Sequence, residues 1–295
     1  MISNLKRTKR IWTAWLPGLT VLAIIPVLAA AFAISSARAA DKGSIVALAY
    51  DAGGGALLKS DGEAVYRSGN NGDTWQAIPL PPSANGSIAA VATPAKRSGV
   101  VYVAGPGLGV LRTEDDGASW VALNTGLPST KVTAFTAHAA LPEAIYAFVP
   151  ESGIYRSQDA GKSWKLMDRG PENTRQLLHT DMKGSMETGW LYAATLQGAR
   201  VSMDCFCLWR DAGELNGKVD SLAYDPLQPE RLYAASDQGL FRSTNGGQDW
   251  EQTASPEAAV TTLTATPSGA LYAASTDGAL FRSLDRAETW EPIGD

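Results

Sequence analysis

Cysteine is scarce in this chain, with Cys205 and Cys207 the only two in 295 residues. A disulfide framework therefore cannot hold the fold together. Histidine is equally scarce, and two isolated residues, His138 and His179, supply neither a Ser/His/Asp arrangement nor a histidine metal site. Basic residues are outnumbered, 25 against 30 acidic, and five of the 25 fall within the first 39 residues. The remainder carries 20 basic and 30 acidic residues, a net charge of −10. That balance excludes nucleic acid and anionic membrane surfaces as partners, since both need clustered Lys and Arg. Beyond residue 39 no stretch shows helical periodicity. A phosphate-binding glycine loop is missing too: GPGLG (105–109) links two strand signals and opens no helix.

The first 39 residues stand apart. Lys6, Arg7, Lys9 and Arg10 precede an uncharged run from Ile11 to Ala37, and Ala37-Arg38-Ala39 offers small residues at a cleavage site. This pattern predicts a secretory signal peptide cut after Ala39, or an uncleaved N-terminal membrane anchor, because the apolar part is long. Pro17 and Pro26 interrupt it. Either way the chain is expected to be exported, secreted or periplasmic, and to meet a membrane only through this segment.

What the chain does have is a repeated phrase. VYRSGNNGDTW (65–75) returns in degraded or near-identical form with tryptophans at 120, 164, 209, 250 and 290, spaced by 45, 44, 45, 41 and 40 residues. A hydroxyl column runs Ser68, Thr113, Ser157, Ser202, Ser243, Ser283; two places on stand Asn70, Asp115, Asp159, Asp204, Asn245, Asp285. Two further on come Gly72, Gly117, Gly161, Phe206, Gly247 and Ala287, and each copy closes on Trp75, Trp120, Trp164, Trp209, Trp250 or Trp290. These columns are turn chemistry. The Asx side chain caps N–H groups two residues on, glycine supplies positive φ, and the indole anchors the hairpin to its own sheet. Upstream of every box lie two β-rich runs, for example IVALAY (45–50) and LYAAS (232–236). Four short strands in about 43 residues are the signature of a propeller blade. The prediction is an all-β, six-bladed β-propeller of four-stranded antiparallel blades over residues 40–295, after the N-terminal segment. Its blades span about 44–80, 86–124, 130–168, 174–213, 217–254 and 259–293. Such a chain begins on an inner strand and ends on an outer one, so its termini share no blade to close the ring.

The phrase S-x-D-x-G-x-T-W resembles the Asp-box, or bacterial neuraminidase repeat, over residues 44–293. The resemblance implies a sialidase-like propeller fold and a structural role for the boxes at the blade periphery. Similar repeats occur in sialidases, xyloglucan-cleaving glycosidases, sortilin-type receptors and photosystem II assembly factors. Sialidase activity is not implied, because the family's Arg-Ile-Pro motif is missing and the nearest fragment, Ala77-Ile78-Pro79, lacks the arginine.

Several residues are candidates for chemistry. Glu63, Glu143, Glu151 and Asp237 flank second strands, where loops could bring paired carboxylates to one face, as glycosidases require. Arg67, Arg112, Arg156, Arg242 and Arg282 form a column that either binds acidic partners or pairs with the boxes; Val201 breaks it. In the fourth box, Met203, Cys205 and Cys207 alternate, which suits a local disulfide, buried thiols or a soft Cu(I) site. Trp190 is the only tryptophan outside the boxes and the leader, too little for a sugar-stacking platform. The expected function is a non-catalytic protein-binding or assembly module with no cofactor. A carbohydrate-active enzyme or lectin that takes a glycan is the alternative, and a copper-handling propeller the third reading.

Overall fold

A computed structural model of the chain describes residues 43–184, 189–204 and 208–294. These residues form six four-stranded antiparallel sheets, and the strands of each sheet are hydrogen-bonded in sequence order. The inner strands are Ala47–Asp51, Ala90–Ala92, Ala134–Ala137, Thr174–Thr180, Val219–Asp225 and Val260–Ala265. Each lies beside the inner strand of the next blade, and the sixth lies beside the first. The protein is a six-bladed β-propeller.

The second strands show why these sequences fold radially. VYVAG, IYAFV and LYAAS (271–275) are buried at all five positions, so both faces of the sheet are covered by neighbouring blades. Continuous runs of small and apolar residues suit such two-sided burial, where alternation would leave polar side chains in a core. One large residue per second strand fills the wedge between blades: Leu58, Tyr102, Tyr146, Tyr192, Tyr233 and Tyr272, each at most 3% exposed.

The ring closes without a shared blade. Ile45, Leu48 and Leu57 of blade 1 form one apolar cluster with Ala270, Tyr272, Ala274 and Leu280 of blade 6, and Trp75 and Ile293 pack against it. The Thr261 hydroxyl adds a bond to the Ile45 carbonyl at 3.4 Å. Side-chain burial across the seam thus replaces the backbone pairing that a mixed-terminus blade would provide.

Candidate functional site

The two ends of the propeller are built differently. At one end the six boxes connect the third and outer strands. In each, the hydroxyl donates to the Asx side chain two residues on, at 2.7–3.2 Å (Ser68, Thr113, Ser157, Ser202, Ser243 and Ser283). The same hydroxyl oxygen accepts the main-chain N–H of Gly72, Gly117, Gly161, Gly247 or Ala287 at 2.8–2.9 Å. The Asx carbonyl or carboxylate oxygen accepts the N–H four residues on, at 2.8–3.0 Å, from Thr74, Ser119, Ser163, Asp249 and Thr289. The cap therefore spans four residues, not the two expected, because the hydroxyl takes the nearer N–H groups. Ser119, Ser163 and Thr289 also donate their hydroxyls to the carboxylates at 2.5–2.6 Å. These donors hold Asp159 and Asp285 down to about 2, and Asp115 below the usual carboxylate range. Positive φ is met by Gly72, Gly117, Gly161 and Gly247, and in the sixth box by Ala287 at 69°.

The tryptophans do something other than pin a loop to its own sheet. Trp120 donates its indole N–H to the Pro79 carbonyl at 2.8 Å, Trp164 to Leu123 at 2.7 Å, Trp250 to Ala212 at 2.8 Å and Trp290 to Ala254 at 2.9 Å. Trp209 donates to the Asp168 carboxylate at 3.1 Å. Every acceptor lies at the end of the preceding blade. The box glycines follow the same direction, since a Cβ on Gly161 would stand 2.6 Å from Leu123 and one on Gly72 2.8 Å from Ile293. All six indoles are half-buried. The boxes are blade-to-blade fasteners.

The arginine column joins them. Arg67 bridges Asp51 at 3.2 Å and Asp116 of the next box at 2.7 Å; Arg242 bridges Glu251 at 2.7 Å and Glu288 of the next box at 2.9 Å. Arg112 holds Glu114 and Arg282 holds Glu291. Where Val201 breaks the column, the Tyr192 hydroxyl reaches the Gly246 carbonyl of the next box at 3.0 Å instead. Trp190 is half-buried and packs on the apolar cluster between blades 4 and 5, with Met182 beside it near Gly246.

The fourth box is only partly described. Asp204 accepts from Ser202, and Met203 packs on the apolar cluster between blades 4 and 5. Cys205 and Cys207, and with them the disulfide and copper readings, lie outside the described residues. Among the described residues no group of three His, Cys, Asp or Glu side chains could hold a metal ion.

Both histidines sit at the box end of the central channel. Their rings stack at 3.8 Å, and the Tyr146 ring stacks at 5.5 Å on His179. His138 Nδ1 accepts the N–H groups of Ala140 and Leu141, and His179 Nδ1 accepts that of Ala139, so both rings are neutral with the proton on Nε2. Burial, and secondarily the neighbouring ring, push His179 down to about 2. They border a cavity of about 320 Å³ lined mainly by small and apolar residues.

At the opposite end the channel widens to a mouth of about 1150 Å³. Val46, Ala89, Thr133, Arg175, Asp220 and Thr261, near the start of the six inner strands, ring it. The turns after the second strands of blades 3, 4 and 6 and the crossing from blade 3 to blade 4 complete the lining. Of the four acids singled out in the sequence, Glu151 lines this mouth. Glu143 belongs to the box end, paired with Arg97 at 2.8 Å, and Glu63 and Asp237 stand clear of the lining. The mouth's other charges, Arg169, Glu172, Arg175, Lys218 and Asp220, carried no motif to mark them. The signal that could have found them is the inner-strand alignment, where Arg175 and Asp220 replace the small or apolar residues of other blades.

The DUF6242 beta propeller domain matches residues 220–295, most of blade 5 and all of blade 6. No curated protein matches the chain in sequence. Among solved structures, YCF48 bound to D1 peptide is similar, with a TM-score of 0.57 and 19% identity over 86% of this chain and 83% of that one. The GH74 enzyme of Niastella koreensis matches at TM-score 0.58 and 16% identity over 81% of this chain. The GH74 xyloglucanase of Xanthomonas campestris matches at 0.56 and 20% over 80%. This chain spans 36% of the length of either GH74 enzyme. At these identities the likeness is one of fold.

Proposed function

We propose that this chain is an exported, non-catalytic binding module that holds a segment of another protein in the channel mouth, with the boxes serving as scaffold. The observation that carries the reading is the mouth itself. It is a wide cavity where six blades converge, and two of the molecule's exposed apolar side chains, Val46 at 41% and Leu196 at 42%, line it beside six charged residues. Exposed apolar groups rimmed by charge mark surfaces that a partner covers. The similarity to YCF48, solved with a peptide, supports a protein partner by analogy of fold.

A carbohydrate-active reading has less support. Among the described lining residues the only aromatic is Phe148, which is 5% exposed and unavailable for stacking on a sugar ring.

The test is photo-crosslinking in the native host with a photoreactive residue at Val46 of the full chain, against one at Leu284, exposed in the sixth box loop. A discrete protein adduct from position 46 and none from 284 supports the reading. Adducts from 284 alone would move the working surface to the box end, and adducts from neither would turn attention to glycans.

A further inference from the structure

The charges at the mouth gather on blades 3 to 5. Glu151 stands on the turn after the second strand of blade 3, and Arg169 and Glu172 on the crossing to blade 4. Arg175 opens the inner strand of blade 4, and Lys218 and Asp220 that of blade 5. Blades 6, 1 and 2 contribute none: there the lining is apolar, as at Val46 and Ala89, or an uncharged hydroxyl, as at Ser44, Thr261 and Thr276.

Asp220 gives this arc its polarity. Its side chain is only 9% exposed and accepts from Arg175 at 3.0 Å and Lys218 at 2.9 Å, which are 44% and 41% exposed. One buried carboxylate thus positions two half-open cations from adjacent blades and offsets only one of them. The blade 4–5 side keeps surplus positive charge in a protein that is otherwise acidic. Toward blade 3, Glu151 and Glu172 are exposed, two acids against the single exposed base Arg169. Glu151 holds φ at 67°, a left-handed conformation that side chains with a Cβ avoid, at the tip of its turn.

Resting on the mouth as the binding surface, we infer that its ligand is an extended polypeptide segment of mixed charge. An acidic side chain docks on Arg175 and Lys218, a basic one on Glu151 and Glu172, and an apolar one covers Val46 and Leu196. Each element is complementary to a feature of the rim. A polyanion would meet Glu151, Glu172 and the acidic body of the molecule. A purely basic segment would leave Arg175 and Lys218 opposed.

The experiment is selection of random heptapeptides on the full chain, followed by affinity measurement with a synthetic copy of the enriched sequence. Enriched peptides are expected to carry one acid and one base around an apolar residue. The double variants Arg175→Glu/Lys218→Glu and Glu151→Lys/Glu172→Lys should each weaken binding at least about tenfold. Exchanging the peptide's acid for lysine should recover binding to the first variant. Arg175→Gln/Lys218→Gln, milder toward Asp220, serves alongside, and circular dichroism confirms that each variant is folded. Enriched peptides without charge, or uniformly acidic, would overturn the inference, as would affinities indifferent to both reversals. If no peptide is enriched while a protein still crosslinks at position 46, the mixed-charge segment fails and the mouth reading stands. Absence of both removes the two together.

Discussion

The two ends of this propeller obey opposite rules. At the box end the blades repeat one another: the same hydroxyl-to-Asx bond in all six, the same N–H groups capped in the five fully described boxes, and an indole donating to the preceding blade wherever the bond is described. At the mouth the blades differ: Thr133 and Thr261 recur on blades 3 and 6, but Val46, Ala89, Arg175 and Asp220 stand at the matching places of the others, and charge gathers on blades 3 to 5. Repetition satisfies requirements that every blade shares, namely closing a loop and meeting a neighbour. Variation has no such cause in the fold, so it points to something outside it.

Breaking the repeated end should cost stability, and the largest loss is expected at an indole. Trp164→Ala removes a half-buried ring and its bond to the Leu123 carbonyl, which should destabilise the protein by about 3 kcal/mol and lower Tm by roughly 10 °C. Differential scanning calorimetry reads this directly. An unchanged Tm would detach the indoles from the scaffold. Gly161→Ala should cost about 2 kcal/mol, since the new Cβ stands 2.6 Å from Leu123 at a φ of 90°. Gly247→Ala, whose nearest contact is 3.3 Å, should cost about half as much. Equal losses in the two would show that backbone conformation, not the neighbouring blade, sets the requirement. The sixth box already accepts Ala287 at positive φ.

Acid should attack the same end in two stages. His179 is depressed to about 2 from an unfolded value near 6.5, so the folded state favours the neutral ring. Its contribution is complete above about pH 6.5 and declines as pH falls toward 2, with a slope of about 1.4 kcal/mol per pH unit. The box carboxylates Asp159 and Asp285, also held to about 2, contribute above the ordinary carboxylate range and lose that contribution as pH falls toward 2. Urea unfolding of His179→Gln across pH 7 to 4 should give a flatter profile than wild type, and an identical profile would sink the assignment. The smallest effect belongs to the mouth. Arg169→Ala, an exposed lining residue, should change stability by no more than about 0.5 kcal/mol while altering partner binding.

Most of the architecture was legible because it repeats. Six copies of a turn motif and two β-rich runs before each suffice for blades of four strands. The inter-blade direction of the tryptophans was not legible, since periodicity in one dimension does not say whether an indole bonds its own blade or the one before. The tyrosines of the second strands stood in plain register, yet their role as wedges appears only when blades pack. Mouth residues were hardest. Arg175 and Asp220 lie 45 positions apart in sequence and meet at 3.0 Å only when adjacent inner strands align. Both stand at matching register shifts of their inner strands, between Thr174 and Gln176 in blade 4 and between Val219 and Ser221 in blade 5. Glu151 shares its place beside a second strand with Glu63, Glu143 and Asp237, and only the fold separates it from Glu143 at the opposite end.

The most direct test of scaffold against working surface is one paired measurement on two full-length variants, Val46→Ala/Arg169→Ala at the mouth and Trp164→Ala at the boxes. For each, Tm and the yield of partner adduct from a photoreactive residue at Leu196, a second exposed mouth residue, are recorded at a temperature where both are folded. The mouth variant should keep Tm within about 2 °C of wild type and lose most of the adduct, while the box variant loses about 10 °C and keeps it. A mouth variant that melts early with its adduct intact, or a box variant that stays stable and loses its partner, would contradict the account.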